Sequence, residues 1–314
     1  MANRTGGISL TGVLLVVAAT LALPLGATVA THLFPIGGAW GVTTLRLVLA
    51  FLFLLVIARP TPWRWSRAAW RDVVLFGISL AGLNGFFYAA VERIPLGVAV
   101  AIEFVGPLAL AVILSTNRRD LIWIAMAGVG LGVLGIESLS GQSSFDTLGM
   151  IYAALAGVSW AFYILLSARV GKHLPGVEGL PVATLVAALV ILPFGLGGFV
   201  DLVQMPEVYW LAIAMAVLST VIPVSFEMAA LRRLPRNGFS ILLSLEPVFA
   251  ALIGWLFLDQ TFGVLRSVAI VLIVGATIGM TVAAARLSGE VVEQHRARKA
   301  REDEPGAAED AEER

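Results

Sequence analysis

The chain has 314 residues, of which 59% are hydrophobic and only 13% are charged, and its mean hydropathy is +0.92. About ten apolar runs of roughly 20 residues use up most of this length, so no room remains for a sizeable water-soluble domain. The zero net charge gives no sign of a nucleic-acid partner, and the lack of cysteine excludes disulfides, thiolate metal sites and cysteine nucleophiles.

These apolar runs predict an all-α, polytopic membrane protein with ten transmembrane helices. In chain order the predicted helices cover 10–33, 36–58, 72–91, 96–115, 120–137, 147–168, 179–200, 208–231, 237–258 and 263–286. The connections between them are short and carry proline, glycine or charge. Residues 287–314 are polar and have no apolar stripe, which predicts a disordered cytoplasmic tail.

Lysine and arginine are concentrated on one side of this arrangement. Eighteen of them fall in segments that share a side with the N-terminus, whereas only Arg93 and Arg266 fall on the other side. Because positively charged loops remain in the cytoplasm, we expect both termini there and the protein in the inner, cytoplasmic membrane.

The chain repeats itself at an offset of 140 residues. The segment RIPLGVAVAIEFVGPLALAVI resembles RLPRNGFSILLSLEPVFAALI, so that Pro107 corresponds to Pro247, and Ser79 corresponds to Ser219 at the same offset. Each repeat holds five helices, an odd number, so the two halves would cross the membrane in opposite directions.

The repeat predicts two inverted five-helix units, 1–140 and 141–286. Inverted repeats of this kind are found in secondary transporters, whose substrate site lies near the midplane between the halves.

Four charged residues lie more than one turn inside predicted helices, and at mid-helix a charge costs about 2.5–3.5 kcal/mol on insertion scales. Arg46 lies near the middle of the second helix, Glu103 in the fourth and Glu246 in the ninth, while Glu227 lies nearer the cytoplasmic end of the eighth. A zwitterionic solute would pair a carboxylate with Arg46 and an ammonium group with Glu103 or Glu246.

A structural interpretation of the same residues stays open. Arg46 and one glutamate could form a buried ion pair that only holds the bundle together. Glu227 is close to Arg232 and Arg233, so it is either a cytoplasmic gate or part of an interfacial ion pair. Asn84 and Tyr88, one turn apart on the third helix, either line a cavity or make hydrogen bonds between helices.

Three prolines remove a backbone hydrogen bond within the predicted helices: Pro107, Pro223 and Pro247. The carbonyl groups freed in this way belong to Glu103, Ser219 and Leu243. An unpaired carbonyl is costly in lipid, so each must face protein, water or a ligand. Broken, polar helices at matching repeat positions therefore predict a transport cavity.

Motifs of other functional classes are missing from the sequence. There is no P-loop, no G-x-S-x-G turn and no H-E-x-x-H pair, so we expect neither ATP-driven transport nor an enzyme. We also expect no cofactor and no metal site.

Several stretches carry a resemblance to a known family: HLFPIGGAWGVTTLRLVLA, PLGVAVAIEFVGPLA, IPVSFEMAAL and LEPVFAALIGWLFLDQ. The chain resembles the drug/metabolite transporter superfamily in its form with two EamA-type repeats, and within it most resembles the threonine/homoserine exporter family. The resemblance implies export of small neutral amino acids, driven by the proton gradient. It also implies that Glu103, Glu227 and Glu246 stand at positions where the family carries glutamate. Arg46 lies in a Leu-Arg-Leu segment that matches one in the family.

Glu103 and Glu246 are the expected proton-coupling groups. They are offset by about one turn on related helices, and two carboxylates close together in low dielectric cannot both be ionised cheaply. Two alternatives remain. One is a carrier for another solute, such as a nucleobase, a vitamin or an amphiphilic drug, which an aromatic-rich cavity would favour. The other is a non-transporting scaffold or sensor, which predicts no polar cavity.

Overall fold

The computed structural model describes residues 10–114, 121–139, 146–231, 233–234, 239, 242–243, 245–260, 263–265 and 267–282. Within these residues the chain is helical and contains no β-strand. The predicted tail, 287–314, lies outside the described residues, as do the predicted connection 116–119 and most of the predicted connection 138–146.

The helices follow one another along the chain with short connections. They are α1 (Leu10–Thr31), α2 (Phe34–Ala58), α3 (Arg67–Val91), α4 (Leu96–Leu114), α5 (Leu121–Leu139), α6 (Thr147–His173), α7 (Leu180–Val203), α8 (Tyr209–Ala216), α9 (Ile222–Leu231), α10 (Glu246–Phe257) and α11 (Ser267–Val282). Short 3₁₀ helices cover Pro62–Arg64 and Pro206–Val208. A π-helical turn, Val217–Val221, joins α8 to α9, so the three segments form one continuous rod.

Seven stretches of the described chain are long and apolar enough to cross a bilayer. They are Leu10–Thr31, Phe34–Ala58, Arg67–Val91, Leu96–Leu114, Thr147–His173, Leu180–Val203 and Pro206–Glu227. Three further apolar helices are shorter, at Leu121–Val133, Glu246–Phe257 and Ser267–Val282, and they coincide with the predicted fifth, ninth and tenth helices. The chain is thus an all-helical, multi-pass membrane protein, with seven full-length spans where the sequence predicts ten.

Many small side chains are buried between the helices, and many large apolar side chains lie on the outside of the bundle. Many of the buried residues are small, such as Ala19, Ala101 and Ala153, which are 0% exposed. Large apolar side chains face outward, and Phe194 and Val271 are 70% and 68% exposed. Small residues let helices approach closely in a membrane, where large apolar side chains meet lipid tails without penalty.

Two helices are longer than predicted because their ends carry charge. α3 begins at Arg67 rather than residue 72, and the Ser66 hydroxyl oxygen accepts a 3.1 Å hydrogen bond from the Ala69 backbone N–H. Such a serine is a favoured N-cap, so the basic first turn is helical although it is not apolar. α6 likewise continues past the predicted residue 168 to His173.

The prolines are placed in three different ways. Pro107 lies inside α4, which continues through it. Pro223 follows the π-helical turn at the start of α9. Pro247 stands in the first turn of α10, where its missing N–H costs nothing because that group would have no helical partner.

α2 is interrupted near its start. Gly38 has φ +58° and ψ 171°, a conformation that favours glycine, and it divides the helix into two pieces. The Ala39 N–H at the start of the second piece donates a 3.0 Å hydrogen bond to Glu92 Oε1. The carboxylate thereby caps a helix N-terminus formed within the bundle.

α2 packs against α7 through glycine. A Cβ atom on Gly41 would lie 2.7 Å from the Gly198 carbonyl carbon, and one on Gly198 would lie 1.9 Å from the Gly37 oxygen. A Cβ atom added to Gly195 would likewise lie 2.4 Å from the Trp40 backbone oxygen. The two backbones therefore touch, and no other residue type fits at these positions without moving the helices apart.

Candidate functional site

A cavity of about 410 Å³ lies among helices from both halves of the chain. Its walls come from α1, α2, α3, α4, α6, the π-helical turn, α9 and the start of α10. The polar and charged residues that line it are Arg46, Asn84, Tyr88, Glu103, Tyr163, Ser219, Glu227 and Glu246. The structure thus brings together the four charged residues that the sequence placed more than one turn inside a predicted helix, although they are up to 200 positions apart in the chain.

Arg46 reaches the cavity from α2 and is held by two contacts. Its Nη2 donates a 3.3 Å hydrogen bond to the Ser219 carbonyl oxygen, and its guanidinium carbon lies 5.1 Å from the centre of the Tyr88 ring. Among the described residues no ion pair joins it to a cavity glutamate. The buried ion pair that the sequence left open is therefore not formed here, and the guanidinium charge faces a cavity.

The Ser219 carbonyl is one of those that the sequence predicted to be free. Pro223, four residues later, has no N–H to donate to it. The Arg46 guanidinium takes that place, which joins α2 to the π-helical turn. The carbonyl left free by Pro223 is thus used in a contact between the two halves of the chain.

Glu103 is buried in the wall of the cavity, with 7% of its surface exposed. Its carbonyl, freed by Pro107, lies against α6, where a Cβ on Gly157 would be 2.6 Å from that oxygen. A Cβ on Gly106 would in turn lie 1.9 Å from the Gly157 oxygen. The backbones of α4 and α6 touch here, and the freed carbonyl faces protein while the side chain lines the cavity.

Glu246 and Glu227 line the same cavity from α10 and α9. Both are half-buried. Arg233, a suggested partner of Glu227, instead donates a 2.7 Å hydrogen bond from Nη1 to the Ala229 oxygen. Arg232, the other suggested partner, lies outside the described residues.

Asn84 and Tyr88 project from α3 into the cavity wall. The Asn84 amide donates a 2.8 Å hydrogen bond to the Leu80 oxygen of its own helix. The Tyr88 hydroxyl has no partner among the described residues, although the side chain is 1% exposed. The interhelical hydrogen bonds that the sequence left open for these two residues are absent from the described part of the chain.

Three buried polar side-chain atoms in the described residues have no hydrogen-bond partner: Arg46 Nε, Tyr88 OH and Ser219 Oγ. All three belong to residues of this cavity. A buried polar group left unsatisfied costs about 1–3 kcal/mol, so these atoms mark a place where a further hydrogen-bonding species belongs.

The cavity also has aromatic walls that sequence reasoning missed. Trp160 and Tyr163 of α6 line it together with Phe87 and Phe104, and the rings of Phe104 and Trp160 meet edge to face at 4.6 Å. One signal was available: Trp160 lies mid-helix, whereas interfacial tryptophans lie near helix ends.

Polar contacts tie the helices together at one end of the cavity. Arg93 Nη1 forms a 2.5 Å ion pair with Asp146 Oδ2, and the Leu96 N–H donates a 3.1 Å hydrogen bond to Gln260 Oε1. The hydrogen bond from Arg93 holds the pKa of Asp146 below its usual value. Each contact joins the α3–α4 connection to the second half of the chain.

A second set of contacts lies at the opposite end. Glu178 Oε1 accepts hydrogen bonds from the Trp65 indole at 3.0 Å and from the Thr61 hydroxyl at 2.9 Å and N–H at 3.1 Å. The same hydrogen bonds, that from Trp65 first, keep the pKa of Glu178 below its usual value. The cavity therefore lies between two polar layers, each linking the two halves of the chain.

The described residues contain no cluster of three or more His, Asp or Glu side chains suited to a metal ion. The site offers one guanidinium, three carboxyl groups, three hydroxyls and several aromatic rings around one cavity. Groups of these kinds are suited to pairing with a small solute that carries charge.

Comparisons with known proteins agree with this architecture. The model of the EamA-like transporter family matches residues 147–282. The threonine/homoserine exporter RhtA of Salmonella typhimurium strain LT2 is 38% identical over 269 residues, which are 86% of this chain and 90% of the relative. RhtA of Escherichia coli strain K12 is 38% identical over 262 residues, 82% of this chain and 86% of that one.

One solved crystal structure superposes on this chain with a TM-score of 0.57. The superposition covers 88% of this chain and 97% of the other, and the two sequences are 18% identical, so the comparison shows a shared fold alone. The region aligned with the exporters is longer than either half of the chain, so the similarity extends over both halves. On this evidence the protein belongs to the EamA-like transporter family.

Proposed function

We propose that this protein is a proton-coupled secondary exporter of small neutral amino acids such as threonine or homoserine, working by alternating access. The observation that carries the proposal is the cavity in which a guanidinium and three carboxylates lie together, with no ion pair between them in the described part of the chain. The relatives named as threonine/homoserine exporters, which align over most of the chain, support the choice of substrate.

The chemistry of a zwitterionic amino acid matches this set of groups. Its carboxylate pairs with the planar Arg46 guanidinium, and its ammonium pairs with Glu103 or Glu246. Asn84 and Tyr88 complete the proposed binding residues. The volume of about 410 Å³ suits a small solute with a few waters.

Proton coupling follows from competition for one carboxylate. A proton and the substrate ammonium cannot both occupy the same glutamate, so binding of the amino acid displaces a proton from Glu103 or Glu246. Protonation from the other side of the membrane then releases the substrate. In this cycle Glu227, the third carboxylate, acts as a gate nearer the cytoplasmic end.

We further propose ten membrane helices in two inverted five-helix halves, 1–140 and 141–286, with both termini in the cytoplasm and the chain in the cytoplasmic membrane. The seven long and three shorter apolar helices support this number, and the distribution of lysine and arginine supports the orientation. The family model, which matches 147–282, coincides with the second half.

The orientation is testable by cysteine labelling, since the chain has no native cysteine. Cysteines introduced at Ser143 and Asp201 should react with an impermeant reagent from outside intact cells, and one at Asn117 should react only after permeabilisation. The reverse pattern would reject the orientation.

A second candidate substrate class is favoured by one observation. Five aromatic residues line the cavity, Phe87, Tyr88, Phe104, Trp160 and Tyr163, and aromatic walls suit a planar solute such as a nucleobase or vitamin, or an amphiphilic drug. The polar cavity argues against a non-transporting scaffold or sensor.

Counterflow in proteoliposomes decides between these candidates. Vesicles loaded with unlabelled threonine or homoserine should take up the labelled amino acid through the purified protein, and loading with nucleobases should give no uptake of labelled nucleobase. Protein-free vesicles are the control for leakage. If only the nucleobase or drug panel gives counterflow, the amino-acid assignment is wrong.

A further inference from the structure

Ser219 differs from its counterpart in the first half of the chain. Ser79 stands 140 residues earlier, at the matching position of the sequence repeat. Both residues are buried, with 8% of Ser79 and 6% of Ser219 exposed. The Ser79 hydroxyl donates a 2.8 Å hydrogen bond to the Phe76 oxygen of its own helix, whereas the Ser219 hydroxyl has no partner among the described residues.

The difference follows from the local backbone. Ser79 lies in the regular helix α3, where a serine hydroxyl commonly bonds a carbonyl three or four residues earlier. Ser219 lies in the π-helical turn Val217–Val221, directly before the helix that contains Pro223. The position aligned with Pro223 in the first half is Leu83, so only the second half carries this distortion.

Neighbouring helices leave room for the Ser219 hydroxyl without giving it a partner. A Cβ on Gly26 of α1 would lie 2.1 Å from Ser219 Oγ, so the hydroxyl occupies space that only a glycine leaves open. The backbone carbonyl of Ser219 is held by Arg46, and Ser219 lines the cavity. The unpaired Ser219 hydroxyl therefore lies against Gly26 with almost no accessible surface, on the residue whose carbonyl is held by the guanidinium proposed to bind the substrate carboxylate. A rotation about the Ser219 Cα–Cβ bond is needed to bring it to the substrate.

We infer that Ser219 is a specificity-determining residue whose hydroxyl hydrogen-bonds the side-chain hydroxyl of the transported amino acid. This inference rests on the proposed function, because it takes the carboxylate of the substrate to be bound at Arg46. In threonine and homoserine the hydroxyl lies two or three bonds from Cα, within reach of a group that adjoins Arg46. The substrate class is thus narrowed to small amino acids with a hydroxylated side chain.

The discrimination arises from the cost of leaving buried polar groups unpaired. Valine has nearly the shape of threonine but a methyl group in place of the hydroxyl, and norvaline stands in the same relation to homoserine. Either apolar analogue would fill the cavity and leave Ser219 Oγ without a partner. Sites that hydrogen-bond a substrate hydroxyl reject such analogues far more strongly than apolar pockets reject a missing methylene.

The test compares Ser219→Ala with Ser79→Ala in the full-length protein reconstituted in proteoliposomes. Unlabelled valine and threonine compete with labelled threonine in counterflow, and the ratio of their half-inhibitory concentrations is measured. The wild-type ratio should fall about tenfold in Ser219→Ala, which corresponds to ~1.4 kcal/mol. Ser79→Ala should keep the wild-type ratio, because that hydroxyl is buried but bonded within its own helix.

Thermal unfolding without substrate separates a binding role from a structural one. Ser219→Ala removes an unpartnered hydroxyl and should not lower the melting temperature, whereas Ser79→Ala loses a hydrogen bond and should lower it. An unchanged valine-to-threonine ratio in Ser219→Ala, or a loss of stability as large as that of Ser79→Ala, overturns the inference while leaving amino-acid export intact. A wild-type protein that exchanges no amino acid overturns both.

Discussion

Replacement of Arg46 by lysine tests the centre of the proposed site, because it keeps the charge and removes the planar guanidinium. In the structure the guanidinium Nη2 donates to the Ser219 oxygen, and the guanidinium carbon lies 5.1 Å from the centre of the Tyr88 ring. A carboxylate bound by guanidinium receives two parallel hydrogen bonds, and an ammonium cannot reproduce that geometry.

The expected size of the effect follows from one lost hydrogen bond to a charged group. Such a bond contributes about 1.5–3 kcal/mol, so Arg46→Lys should weaken substrate affinity about 10- to 150-fold. The assay is the half-saturation concentration of threonine in counterflow, measured on protein that elutes as a single species in detergent.

Arg93→Lys is the matched control for this measurement. Arg93 pairs with Asp146 at the end of the bundle, where both side chains are about one-third exposed, and it does not line the cavity. Exposed ion pairs contribute only about 0–1 kcal/mol, so its half-saturation concentration should stay near that of the wild type. Near-normal affinity in Arg46→Lys would refute the proposed contact between its guanidinium and the substrate carboxylate.

Three further experiments test proton coupling, helix packing and the pH dependence of stability. Glu103→Gln or Glu246→Gln should keep exchange but abolish proton-driven accumulation, and normal accumulation with a normal pH profile in both would reject the coupling scheme. Gly106→Ala should destabilise the fold by about 1–3 kcal/mol, because its Cβ would lie 1.9 Å from a backbone oxygen of α6; in Gly132→Ala no described atom lies within 4 Å of the new Cβ, so its melting temperature should be unchanged. The pKa of Glu178 is lower in the folded protein than in the unfolded chain. The carboxylate therefore contributes its full stabilisation at pH values above the unfolded pKa, and that stabilisation is lost as the pH falls through the folded pKa. Glu178→Gln should therefore lose less stability than the wild type between pH 7 and pH 3 in thermal melts, and a larger loss would contradict the assignment.

The sequence was most informative where a residue conflicts with lipid. Arg46, Glu103 and Glu246 are costly in a membrane, so each needed a polar surrounding, and the structure has all three in one cavity. Pro223 was informative for the same reason, since it predicted a free carbonyl at Ser219, and that carbonyl accepts a hydrogen bond from Arg46.

Apolar residues gave far less information about the site. α6 is apolar around much of its circumference, so its periodicity does not reveal which face Trp160 and Tyr163 present to the cavity. The π-helical turn at 217–221 and the break at Gly38 also have no distinct sequence pattern, because both depend on contacts with helices distant in the chain. The start of α3 was predicted too late because hydropathy ignores the Ser66 cap.

The touching backbones of α2 and α7 have a consequence for movement. Where Gly41 meets Gly198, no side chain separates the two helices, so neither helix can slide along the other there without a collision between main chains. We therefore expect α2 and α7 to travel as one rigid body. Since one belongs to 1–140 and the other to 141–286, the mechanical units of a transport cycle would each combine helices from both sequence repeats rather than coincide with either one.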